Sequence, residues 1–445
     1  MSGTPSKTGC FDLYWTWATD LLLLLAVILA ALPDGTLPNL PVGGIQHAML
    51  PYTAAAALIA AQGLATLRHR SGWILLFVIC GLWMTAMALN NLDEPLENKS
   101  LGGDLIIYSG LIVGLAWGEL RDTRTILRRL RLASVFTLVL ALFTLRGLTN
   151  GSIESLGTGD RLLVFAVFWD SWFLTSIFPL LFNTADEHAS PRTGAWQRWL
   201  WRGVAVAGIL TVFLIGFLSS TRSVMIGGCA AVLLMILPHY RRRGWALQLS
   251  LVLVAGLTLV LAGSLFTEGL KTTDLGQRMF DTTLRDEGRF SELEELMGEF
   301  KSSYDWLLGK GFGSTFFTYT TGEVSGGTMV LSPHIGLSTL LFKGGILTLA
   351  ICLLWPALKS IRIMWNHPNA VCQSAASGSI LYFILSSMSG GWDFKMLFLL
   401  GIFFSLAFNS QHAVASIPRS SEPDMGLEEE WTEASVASSA QGEQP

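Results

Sequence analysis

Apolar runs of about 20 residues recur along almost the whole chain, and about 20 residues is the length that carries a helix across a bilayer core. Twelve such runs can be drawn, at roughly 13–33, 47–67, 72–90, 101–119, 130–149, 161–183, 200–219, 222–238, 245–266, 335–358, 374–389 and 394–412. Lipid offers no partner to an unpaired backbone N–H or C=O, so spans of this length are expected as helices. The implied fold class is all-α: a polytopic integral membrane protein with about 12 transmembrane helices. Composition agrees. Of 445 residues, 51% are hydrophobic and only 14% charged, and mean hydropathy is +0.50. The 16 tryptophans suit a membrane–water boundary.

Charge placement sets the orientation. With a cytoplasmic N-terminus, 17 of the 29 lysines and arginines fall on the cytoplasmic side, including the clusters "RDTRTILRRLR" (121–131) and "HYRRRG" (239–244). Both termini are then cytoplasmic. The first run ends "ILAALP", as a signal peptide can, but it carries Asp20 and follows a long leading segment, so a retained span is expected. Four regions result: nine spans over 1–266, one large outer loop over 267–334, three spans over 335–412, and a tail over 413–445. The tail is polar and rich in Glu, a composition that favours a disordered acidic segment. The five cysteines form no CxxC pair and no zinc spacing, which leaves them as packing residues. The basic clusters are accounted for as cytoplasmic charges, so no nucleic-acid partner is expected.

The outer loop has internal pattern. In "EGRFSELEELMGEFKSSYDWLLGKGFGS", Phe290, Leu293, Leu296, Met297 and Phe300 recur at helical spacing, predicting an amphipathic helix of three to four turns. It is expected to lie on the membrane surface or to pack over the bundle. "GKGFG" (309–313) then breaks the helix with three glycines. Arg289 stands at the helix start, with Arg278 and Arg285 just upstream; a helix N-terminus with guanidinium groups favours an anion. Arg222, in "SSTRS", is a second outer arginine at the edge of an apolar run, where an unpaired cation is costly. It is read either as an interface arginine or as a phosphate contact.

His334, in "SPHIGLSTLLFKGGILT", sits where the outer loop meets the tenth span, behind Pro333. An unperturbed imidazole titrates near pH 6.5, which suits a base that takes a proton from a hydroxyl. Arginines match phosphate oxygens with their forked donors. The outer loops carry no Asp-x-Asp motif, so Arg222 and Arg289 are the candidates to neutralise a diphosphate, and neither metal nor other cofactor is called for.

These features resemble the O-antigen ligase and polymerase family of bacterial envelope glycosyltransferases. The ligases carry a motif of His, then Asn, Ser or Gln, nine residues, Gly, two residues, then Gly, Thr or Tyr. Here His334, Ile335, nine residues, Gly345, Ile346, Leu347 and Thr348 follow it, departing at Ile335. "STRS" resembles the family's Ser-Arg segment, and "GRFSELEEL" with "GKGFG" resembles its loop segment of arginine, helix and Gly-rich turn. The resemblance covers roughly 215–360. It implies a GT-C-related fold in the bacterial inner membrane, with one large periplasmic loop holding an amphipathic helix. The implied reaction is an inverting, metal-independent transfer of polysaccharide from an undecaprenyl-diphosphate-linked donor to a lipid A core oligosaccharide. By the same resemblance His334 would be the base, Arg222 and Arg289 the diphosphate contacts, and Arg278 and Arg285 further diphosphate-binding candidates. A polymerase or a protein O-oligosaccharyltransferase of the same family is the alternative. A twelve-span transporter is the alternative of another class, with Asp170 in "FWDSWF" as its coupling carboxylate.

Overall fold

The computed structural model describes residues 15–23, 25–26, 45–66, 72–90, 98–149, 176–185, 194–218, 227–235, 289–319, 328–330, 336–388 and 394–408. Helix accounts for 89% of these residues. Besides short helical segments at 15–23, 176–183 and 227–235, the helices in chain order are α1 (Ile45–Thr66), α2 (Gly72–Asn90), α3 (Asn98–Glu119), α4 (Thr123–Thr149) and α5 (Gly194–Leu218), then α6 (Arg289–Gly298) and α7 (Ser303–Leu308). Strands β1 (Phe316–Thr318) and β2 (Thr328–Val330) come next. Helix α8 (Gly336–Leu349) runs through a π-helical turn at Ala350–Leu354 into α9 (Trp355–Asn366), followed by α10 (Ala370–Met388) and α11 (Phe394–Phe408).

Among the described residues, three stretches are long and apolar enough to cross a membrane: Gly72–Leu89, Leu101–Glu119 and Gly336–Asn366. Shorter apolar helices lie at Leu50–Gln62 and Met396–Phe408. The span expected at 245–266 and the acidic tail at 413–445 lie outside the described residues.

The core is built around the crossing of α3 and α11. Lipid gives helices no hydrophobic reason to associate, so close approach through small residues must supply the contact. Gly114 of α3 faces the backbone of Phe398, Gly118 faces the side chain of Ser405, and Gly401 faces the backbone of Leu111 and Leu115. A Cβ at Gly118 would stand 2.6 Å from the Ser405 side chain. Around this seam Phe77, Tyr382 and Phe403 are fully buried. Cys80, Cys352 and Cys372 are free buried thiols, as packing residues would be.

One sequence expectation needs correcting. The basic cluster at 121–131 is mostly helix rather than loop, because Asp122 accepts the Thr125 N–H at 3.0 Å and starts α4 early. Arg131 is consequently buried, donating to the Thr184 carbonyl at 3.0 Å and standing over the Trp201 ring. The described residues are otherwise mostly helical, as expected, with one short pair of strands. β1 and β2 pair antiparallel, with Phe316 opposite Val330 and Thr318 opposite Thr328.

Candidate functional site

The site is organised by a break in α8, within a stretch long and apolar enough to cross a membrane. Gly345 in α8 has φ +69° and ψ −177°, a conformation open to glycine and strained for other residues. The break interrupts the ladder in which each carbonyl accepts from the N–H four residues on. The carbonyls of Phe342 and Lys343 are bonded instead by the loop: Lys310 N–H donates to Phe342 at 2.8 Å and Gly311 N–H to Lys343 at 2.9 Å. The next residue reaches α2, where Phe312 N–H donates to the Met84 carbonyl at 3.1 Å. Irregular backbone in an apolar setting is tolerable when protein groups satisfy it in this way.

The glycines of "GKGFG" follow from this fit. A Cβ at Gly309 would lie 2.5 Å from the backbone of Lys343 and Gly345, and Gly311, at φ +93°, presses against Met87 and Ala88. The turn at 309–313 is thus a wedge between α8 and α2.

A buried ion pair locks the wedge. Lys343 is only 3% exposed, and its ammonium donates to Asp104 of α3 and, at 3.4 Å, to the Ser314 carbonyl. Asp104 also accepts the Gly313 N–H at 2.6 Å. One carboxylate therefore joins α3, α8 and the turn. A buried charge this deep is tolerable only with partners and hydrogen bonds, and both are present. Beside the pair is a cavity of about 30 Å³, bordered by Tyr108, Phe312 and Thr339 among others. That is room for a water, not for a sugar or a diphosphate.

The loop also has its own apolar centre. Leu296 of α6, Phe300, Phe316 of β1, and Leu341 and Phe342 of α8 form one buried cluster. Phe342 meets Phe300 and Phe316 edge-on, with ring centroids 6.0 and 5.7 Å apart. The expected amphipathic helix thus packs on protein. It is shorter than expected, ending at Gly298, and a second helix starts five residues on, at Ser303. Ser302 accepts the Asp305 N–H, and Asp305 accepts the Ser302 N–H, which makes a capping box for α7. Asp305 also pairs with Lys310 at 2.8 Å. Partial burial pushes the Asp305 carboxyl up, but the Lys310 ammonium and the N–H groups of Lys301 and Ser302 outweigh it and hold it below the usual aspartate range.

Of the residues singled out from sequence, Arg289 is the first residue of α6, as expected. Arg222, Arg278, Arg285, His334 and Asp170 lie outside the described residues. The histidine motif does meet the described structure at its other end. Its glycine is the break at Gly345, and its last residue, Thr348, is buried against Gly344. Sequence reasoning missed Asp104 and the role of Lys343. The signal was Lys343 itself, a cation inside an apolar span, which calls for a partner. Among the described residues no group of three His, Cys, Asp or Glu side chains could hold a metal ion. No family model, no curated protein and no solved structure matches the chain.

Proposed function

We propose that the protein is a membrane glycosyltransferase that moves a glycan from an undecaprenyl-diphosphate-linked donor to an acceptor hydroxyl at the outer face of a bacterial inner membrane. An O-antigen ligase acting on a lipid A core sugar is the preferred form. The observation that carries this reading is a contact between two of the quoted motifs, through residues 32 apart in the chain (Lys310 to Phe342 and Gly311 to Lys343). The Gly-rich turn that resembles the family's loop motif is hydrogen-bonded to the helix break at the glycine of the histidine motif. Two sequence resemblances that were found separately thus belong to one structural unit, which favours a common task for them.

In this reading His334 takes the proton of the attacking hydroxyl as the sugar–phosphate bond breaks. The diphosphate leaves with its charge neutralised by Arg222 and Arg289, Arg278 and Arg285 being the further candidates. The twelve-span topology with cytoplasmic termini is part of the proposal. The test is transfer by purified protein in proteoliposomes, given a lipid-diphosphate-linked glycan and a lipid A core acceptor. Glycan arriving on the core supports the ligase. Lengthening of glycan on its own carrier supports a polymerase using the same site. Absence of both reactions argues against the glycosyltransferase and for transport. Arg222→Lys is expected to lower the rate at least tenfold, because a point charge does not reproduce the guanidinium fork.

A further inference from the structure

We propose that Asp104 and Lys343 are positioning residues for this site: their buried ion pair fixes the 309–314 turn in the helix break, so that the turn and the helix that begins two residues after His334 move as one body. The inference rests on the glycosyltransferase reading for its functional half and on geometry for its structural half.

The geometry is specific. Asp104 accepts from an ammonium on α8 and from a backbone N–H in the turn, 239 and 209 residues away in the chain. Lys343 in turn reaches the Ser314 carbonyl. The turn donates to the bundle from Lys310 to the Phe342 carbonyl, from Gly311 to the Lys343 carbonyl, from Phe312 to the Met84 carbonyl and from Gly313 to Asp104. Four successive N–H groups are thereby committed, so the register of the turn is set to one residue.

Apolar packing alone would not select that register. Replacing a buried ion pair by well-packed apolar groups is often neutral for stability, whereas an uncompensated buried charge is strongly unfavourable. The pair therefore acts as a selector. Sliding the turn by one residue takes the Gly313 N–H off Asp104 and leaves the carboxylate and the ammonium short of bonds. From Lys343 to the first residue of α8, Gly336, is about 10 Å of helix. Fixing Lys343 therefore fixes the base of the helix that leads to the proposed catalytic histidine. The 30 Å³ cavity beside the pair is spare room for a slightly larger cation at 343.

Hydrogen exchange of the protein in nanodiscs, followed by mass spectrometry, tests the structural half. Asp104→Asn and Lys343→Met should each speed exchange of the 309–316 peptide about tenfold or more, while peptides from the α3–α11 seam stay protected. Lys343→Arg keeps the charge, uses the cavity, and should hold exchange within about threefold of wild type. Unchanged exchange of the turn in both neutral variants would overturn the proposal. Loss of protection throughout the chain in both would equally overturn it, showing a general folding role. The functional half is read in the same variants by the transfer assay. Loosened turns should lower kcat about tenfold or more with donor KM within about threefold, because a positioning residue does not hold the substrate. A loosened turn with wild-type kcat would remove the positioning role. A wild-type protein without transfer would sink the glycosyltransferase reading, while the exchange result would still decide the latch.

Discussion

The two ends of α3 are each held by an aspartate and a cation, and the two pairs differ in kind. At one end Asp20 receives Arg129 at 3.0 Å and the Trp117 indole N–H at 3.0 Å, and Arg129 lies over the Trp17 ring at 4.5 Å. At the other end, about 20 Å away along the helix, Asp104 receives Lys343 and the Gly313 N–H. The Arg129 side chain is 26% exposed, that of Lys343 only 4%. The first pair joins helices to helices through an arginine that water still reaches and an aspartate that is itself buried. The second recruits backbone from the loop and buries its cation almost completely. The first kind of pair adheres, and the second dictates geometry.

The largest effect expected from breaking the comparison is at Lys343. Lys343→Met strands the Asp104 carboxylate and should cost about 3–5 kcal/mol in detergent unfolding, whereas Arg129→Gln, which removes a half-wet cation and leaves the Trp117 N–H on Asp20, should cost about 2 kcal/mol or less. Equal losses would show that burial does not separate the two pairs. Next is the helix break. Gly345→Ala meets the backbone of Leu307 and Leu308 and forces φ +69° on a residue with a Cβ. A loss of about 2 kcal/mol or more is expected. Gly203→Ala on α5, where a Cβ meets nothing within 4 Å, should be neutral or gain up to about 1 kcal/mol. A tolerated Gly345→Ala would mean the turn does not need the break.

The smallest effect is on pH. The Asp305 carboxyl lies below its ordinary value in the folded protein, so its contribution is complete above the unfolded value, near pH 4, and is lost as pH falls through the folded one. Trp306 fluorescence should stay level from pH 7 to about 4.5 and change only below that, and Asp305→Asn should remove the change. A transition centred above about pH 5 would assign it to another group.

Much of the helical frame was legible because apolar length is a strong signal. The run at 72–90 is α2 residue for residue, and 101–119 falls within α3. Boundaries failed where a polar side chain decided them. Asp122 starts α4 inside a cluster that hydropathy reads as loop, and Ser302 with Asp305 restarts a helix that periodicity alone would continue. The three-residue strands β1 and β2 are too short for a period-two pattern to register. At the site, the glycines of the turn and Gly345 could be read as breakers, since glycine's backbone freedom is local information. The Asp104–Lys343 pair could not, because a contact across 239 residues leaves no trace in spacing. Lys343 announced the need for a partner without naming it.

The most direct measurement is single-turnover transfer of a lipid-diphosphate-linked glycan by wild type and His334→Ala, reconstituted side by side at equal folded amounts. Wild type should move glycan onto the acceptor, and the variant should be slower by about 100-fold or more with the turn at 309–316 still protected from exchange. Equal rates in the two proteins would contradict the assignment of His334 as the base, and no transfer by wild type would contradict the account of the site as a glycosyltransferase.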